Sequence, residues 1–138
     1  MRTDEAIELL RSIIPAKLDS FSTVGRRGDV AYLRIEGNSE PLRWAVVSSP
    51  GDRWFALDVD GGFSLNSFEE DTPDDEARRI LAEYVDVAVA YLTNGGTMVK
   101  SGWLRSVILT VSAPDGSVVL RRSLARELGS IFRHSGRR

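Results

Sequence analysis

The stretch WFALDVDGGFSLNSFEED, residues 54–71, sets two aspartates and two adjacent glycines between apolar runs and ends in three acids. Three structures use such residues: a calcium loop, a pair of catalytic carboxylates, or a tight hairpin leading into a helix. Counting Asp58 as the first position of an EF-hand puts Asp60 third and Glu69 twelfth, as the motif requires. Gly62 then falls fifth, where it brings no side-chain ligand, and Phe63 sixth, where the sharp turn needs glycine. A strand pattern also precedes the loop in place of a helix, so the calcium reading fails and no metal site is expected.

Register decides among hairpins, because residues paired across two strands share a face and should agree in polarity. A two-residue Asp-Gly loop sets Asp58 against Phe63, and a Gly-Gly loop sets Asp60 against Phe63; both mix polar with apolar. A three-residue loop, Asp60-Gly61-Gly62, pairs Val59 with Phe63 and Leu57 with Leu65 on one face. It pairs Asp58 with Ser64 and Ala56 with Asn66 on the other. Gly62 supplies the left-handed residue such loops need. Asp60 is then expected to bond local N–H groups at the turn, with Asp58 and Ser64 accessible on the outer face. Catalysis by the two aspartates is not required, since strand spacing can meet a carboxylate separation but does not build a cleft.

The hairpin leads into TPDDEARRILAEYVDVAVAYL, residues 72–92, where Ala77, Ile80, Leu81, Tyr84, Val85, Ala88, Tyr91 and Leu92 form one apolar stripe. This predicts a helix with Thr72 as N-cap, Pro73 at its first position and NGG at 94–96 as its end. Glu69, Glu70, Asp71, Asp74, Asp75 and Glu76 crowd its start. Acids there complement the macrodipole by about 0.3–1 kcal/mol each, which accounts for roughly half of them. The rest exceed what a cap uses and suit a basic partner by charge steering. The same register opposes Trp54 and Phe68 on the outer face, and aromatics bordered by charge are what binding centres favour. The candidate partner-binding set is therefore Trp54, Phe68, Glu69, Glu70, Asp71, Asp74 and Asp75.

Working outward, Thr3 precedes Ile7, Leu10, Ile13 and Ile14 at helical spacing before Pro15, giving a first helix over about 4–14 with Thr3 as its cap. Alternating runs around Gly25–Asp29, then LRWAVVSS and RWFALDV, read as successive strands. Their connections are too short for parallel crossovers, so neighbours are antiparallel. SVILTVSAPDGSVVLRR, residues 106–122, reads as a second hairpin, and LARELGSIFR places Leu124, Leu128, Ile131 and Phe132 on one side of a short last helix. The expected fold is α+β: an antiparallel sheet of about six strands with helices packed on one face, in a single domain of 138 residues ending in a flexible basic tail at 134–138.

Composition narrows the function. A chain of 138 residues buries roughly two thirds of its unfolded surface without staples. The absence of cysteine removes disulfides, thiolate metal sites and cysteine nucleophiles, and fits a reducing, cytoplasmic setting. Asp4, Glu5 and Glu8 interrupt any signal-peptide pattern. The longest apolar tract, VDVAVAYL, is far short of the roughly 20 residues that span a bilayer. His134 is the only histidine and lies in a polar terminus, leaving a triad or imidazole metal site without material. Arg27-Gly28-Asp29 reads as a turn with Gly28 at the bend, and DGG, NGG and SGW match neither nucleotide-binding glycine pattern. Residues 1–98 carry a net charge of −8 and residues 99–138 of +6, but aromatics are not interleaved with the C-terminal arginines, so specific nucleic-acid readout is not expected.

The segment RWFALDVDGGFSLNSFEEDTPDDEARRILAEYVDVAVAYL, about a third of the chain, resembles small actinobacterial proteins grouped with the immunity proteins of polymorphic toxin systems. Separately, the order helix, strands, helix, two strands, helix is similar to type III secretion chaperones and the related bacterial sensory transduction regulators. An extra strand before the second helix and a short last helix depart from that second pattern. The resemblances imply a non-enzymatic protein-binding module without cofactors, an immunity-type inhibitor of a protein with a basic or aromatic-accepting surface. The alternative they leave is a chaperone-like or regulatory domain, a possible homodimer, that holds an extended client segment. Neither implies catalytic residues.

Overall fold

The computed structural model describes residues 1–38, 40–101 and 106–122. Helix α1 (Thr3–Ile13) and a 3₁₀ segment (Ala16–Phe21) precede a meander of five strands. These are β1 (Ser22–Arg27), β2 (Val30–Glu36), β3 (Trp44–Ser49), β4 (Trp54–Val59) and β5 (Phe63–Phe68). Helix α2 (Asp74–Asn94) then crosses to the far edge of the sheet, where β6 (Thr97–Ser101), β7 (Ser106–Ala113) and β8 (Gly116–Arg122) run back toward β5. The result is α+β, with one open antiparallel sheet of eight strands in the order β1-β2-β3-β4-β5-β8-β7-β6.

Eight strands correct the expectation of about six. The meander takes the full five, and TMVKS forms β6, a short strand whose alternation is too brief to stand out after the NGG stop. The expected last helix and the basic tail lie outside the described residues.

The β4–β5 hairpin adopts the three-residue loop: Val59 pairs with Phe63, Leu57 with Leu65, Asp58 with Ser64, Ala56 with Asn66 and Trp54 with Phe68. Gly61 and Gly62 both take positive φ, 88° and 85°, which a Cβ would strain. Alternation then divides every strand between two faces. Ala31, Leu33, Ile35, Ala45, Val47, Phe55, Leu57, Val59, Leu109, Val111 and Leu120 are buried on the face that both helices cover. From α1 come Ala6 and Leu10, and from α2 the predicted stripe with Val87 added and Leu92 only partly buried. Each Leu or Phe buried there contributes about 1.5–3 kcal/mol.

Three local expectations are corrected. Asp60 does not serve the turn: its Oδ1 accepts the Trp44 backbone N–H at 2.9 Å and its Oδ2 accepts the Tyr91 hydroxyl at 2.8 Å, tying the hairpin to the start of β3 and the end of α2. The two threonines do not cap. Thr3 Oγ1 donates to the Asp29 carbonyl at 2.7 Å, with the Pro50 carbonyl at 3.2 Å, and Thr72 Oγ1, 4% exposed, donates to the Glu69 carbonyl, because each hydroxyl is turned toward a loop carbonyl. The residue before α2 is Pro73, with Asp74, Asp75 and Glu76 in the first turn, and Gly95 at φ 72° closes the far end by donating its N–H to Tyr91. Ser64 is buried at 7%, not accessible, since it lies mid-sheet between Asp58 and Arg121.

Asp60→Ala leaves two partly buried donors without an acceptor and should destabilise the fold by about 2 kcal/mol or more, against about 1 kcal/mol for Tyr91→Phe, both read by urea denaturation. Because both Asp60 oxygens are already engaged, millimolar calcium should leave the midpoint unchanged. A rise that disappears in Asp58→Ala would refute that account.

Candidate functional site

The loops that carry the sequence-selected residues are fixed by backbone bonds. The β3–β4 connection, residues 50–53, is the anchor: its Asp52 carbonyl accepts the Thr72 N–H at 2.9 Å and its Arg53 carbonyl accepts the Glu69 N–H at 3.0 Å. Arg53 reaches on to Asp29 at 2.7 Å, so the Arg27-Gly28-Asp29 turn is held within the same end of the molecule. These bonds set the residue 69–73 segment beside the end of the β4–β5 hairpin.

On that end Trp54 and Phe68 are direct cross-strand partners on the face opposite the helices. Trp54 is half-buried and Phe68 is 74% exposed. Neither lies beneath α1 or α2, so a core role under a helix is not their explanation. Glu69, Glu70 and Asp71 follow at once, all exposed, with Asp71 in the left-handed region at φ 53°.

The remaining acids divide. Asp74 receives the Met1 α-amine at 2.5 Å, whose hydrogen bond and charge hold its carboxyl below the ordinary range. Glu76 is bound by Arg79, which lowers its carboxyl likewise. Asp75 is exposed and, with Glu69, Glu70 and Asp71, has no ion pair among the described residues. The structure thus brings together Trp54, Phe68 and four carboxylates whose charge nothing described neutralises, and withdraws Asp74 into a structural contact.

A second acidic group was not legible in the sequence. Glu83 and Asp86 of α2 and Asp115 of the β7–β8 turn line a cavity of about 190 Å³ floored by Leu65, Tyr84 and Val118. Burial first, then the charges of Asp115 and Glu83, raise the Asp86 carboxyl. Glu83 is answered by Arg79. Burial likewise raises the Tyr84 phenol, partly offset by its hydrogen bond with Ser67. The only sequence signal was Asp86 interrupting the apolar run VDVAVA, and its partner in charge lies 29 residues on.

Phe68→Ala should change stability by no more than about 0.5 kcal/mol, as surface truncations do, and Trp54→Ala by about 1–2 kcal/mol. Loss of several kcal/mol in both by thermal melts would place them in the core. For Asp86 the folded state holds its proton more tightly than the unfolded one, so its cost is absent at low pH and grows as pH rises through the folded pKa. Asp86→Asn should therefore raise Tm at about pH 7 and leave it unchanged at about pH 3.

Among the described residues no helix is long and apolar enough to cross a membrane. Comparison of the chain with known protein-family models, with curated proteins and with solved structures returns no match.

Proposed function

We propose that the protein is a non-enzymatic protein-binding module of the immunity type, which holds and blocks a partner protein through Trp54, Phe68 and the acids that follow them. The observation that carries this reading is a juxtaposition: a 74% exposed phenylalanine directly opposite a tryptophan, bordered by the unneutralised carboxylates of Glu69, Glu70, Asp71 and Asp75. An aromatic anchor ringed by charge supplies affinity from burial and association rate from steering. Asp74 contributes position more than charge, because the Met1 amine already meets it. Among the described residues the surface offers exposed carboxylates and aromatics, the groups that protein binding uses. Its partner is a protein with a basic surface and a pocket for an aromatic side chain, met in the cytoplasm.

A second reading, a chaperone-like or regulatory domain that holds an extended client, is favoured by a different observation: strands β5 and β8 meet in a single bridge pair.

A toxin encoded by the gene immediately upstream, which the immunity reading calls for, is the first partner to test. Co-expression with the wild-type chain should relieve its toxicity. Trp54→Ala should weaken the complex by about 2 kcal/mol with the fold retained. Lysine at positions 69 and 70 should mainly slow association and flatten its salt dependence. A photo-crosslinker at position 68 that captures nothing from that partner, while one at Glu8 on α1 does, would sink the assignment of the surface.

A further inference from the structure

The eight-stranded sheet is joined unevenly. Six residue pairs connect β4 to β5 and seven connect β7 to β8, but β5 and β8 share only Ser64–Arg121. An unbroken antiparallel ladder would continue through Asn66–Val119 and Phe68–Ser117, and neither pair forms. Arg122 clamps the closed side of this seam, donating to the Gly61 carbonyl at 3.3 Å and lying 5.2 Å from the Phe63 ring. Beyond the clamp no further pair joins the two strands.

The gap has a floor and a charge. The 190 Å³ cavity lies in it, with Leu65 from β5, Val118 from β8 and Tyr84 and Val87 from α2 as apolar walls. Glu83, Asp86 and Asp115 stand at the same cavity, and among the described residues Asp86 and Asp115 have no ion pair. Two strand margins that lack a ladder partner on facing sides present backbone donors and acceptors in the spacing that an extended chain satisfies. Asp86 and Asp115, like charges with no ion pair among the described residues, favour a cation.

We propose that the cleft between β5 and β8 binds an extended, positively charged segment of a partner protein, which lies along the open margins of the two strands with its basic side chains against Glu83, Asp86 and Asp115. The site is separate from the Trp54 anchor and stands whether or not that surface binds. Arginine or lysine at alternate positions fits it: alternate side chains of an extended segment share a face, so the basic set runs its stems past Leu65 and Val118 to the carboxylates on the helix side, and small apolar residues occupy the outer face.

The test uses the full chain and two labelled peptides of sequence Gly-Val-Arg-Val-Arg-Val-Gly and Gly-Val-Glu-Val-Glu-Val-Gly. At low ionic strength the arginine peptide should bind and the glutamate peptide should not. Binding should slow hydrogen exchange at those amides of residues 65–68 and 116–119 that point away from β4 and β7. The double variant Asp86→Asn with Asp115→Asn should weaken it at least tenfold with Tm undiminished, whereas Trp54→Ala should leave it within twofold. The proposal is overturned by affinity weaker than about 1 mM, by equal binding of both peptides, or by protection elsewhere. It is equally overturned if those amides are already slow in the free chain, or if they slow only as the chain self-associates in sedimentation, because the occupant is then the protein itself.

Discussion

The carboxylate of Asp60 holds three separate parts of the chain in one place. It sits at the turn of the β4–β5 hairpin, accepts a backbone N–H from the first residue of β3, and accepts the hydroxyl of Tyr91 near the end of α2. Burial first, and then Asp60 itself, push the Tyr91 phenol well above its ordinary value, which keeps on the tyrosine the proton that it donates. The Arg43 guanidinium lies 5.9 Å from the Tyr91 ring and donates to the Leu92 carbonyl at 3.4 Å, adding a cation at the negative end of the helix. With the turn pinned, the hairpin register is not free to slip. A slip of one residue would carry Phe55, Leu57 and Val59 from the helix-covered face to the other.

That two-faced division governs where chemistry can occur. One face is filled by aliphatic and aromatic side chains under α1 and α2, and buried side-chain polar atoms of the described residues all have partners. Polar function is thereby driven to the rims and to the face opposite the helices. There arginines lie over aromatic rings, Arg27 with Tyr32 and Arg34 with Trp44, which spends their charge within the sheet. At the end near residue 70 the balance differs, because the acids outnumber the cations that reach them.

The seam between β5 and β8 follows from the path of the chain. Helix α2, with 21 residues and so roughly 30 Å long, carries the backbone past β5 to the far edge before β6, β7 and β8 return. The last described strand in the chain closes the sheet against β5, joining two units, β4–β5 and β7–β8, that are each paired as a local hairpin. Two units each paired within themselves need not match along their whole shared margin, and here they meet in one pair. The carboxylates on α2 and on the β7–β8 turn come together only because these two units meet.

Much of this was written in the sequence. The polarity rule fixed the hairpin loop, its five cross-strand pairs and the outward placement of Trp54 and Phe68, because strand period and turn chemistry are local and unambiguous around Asp60-Gly61-Gly62. Helical spacing fixed α1 and α2, and the glycines after Asn94 fixed where α2 stops. Tertiary structure alone decided the rest. Whether Asp60 serves its own turn or distant groups, and whether Thr3 and Thr72 cap helices or bond loops, depends on which acceptors the fold brings near, and a hydroxyl or carboxylate carries no sequence mark of its partner. The eight-strand order and its weak seam depend on how two hairpin units dock. So does the meeting of Asp86 with Asp115, since like charges far apart in sequence have no local consequence until packing sets them against one cavity.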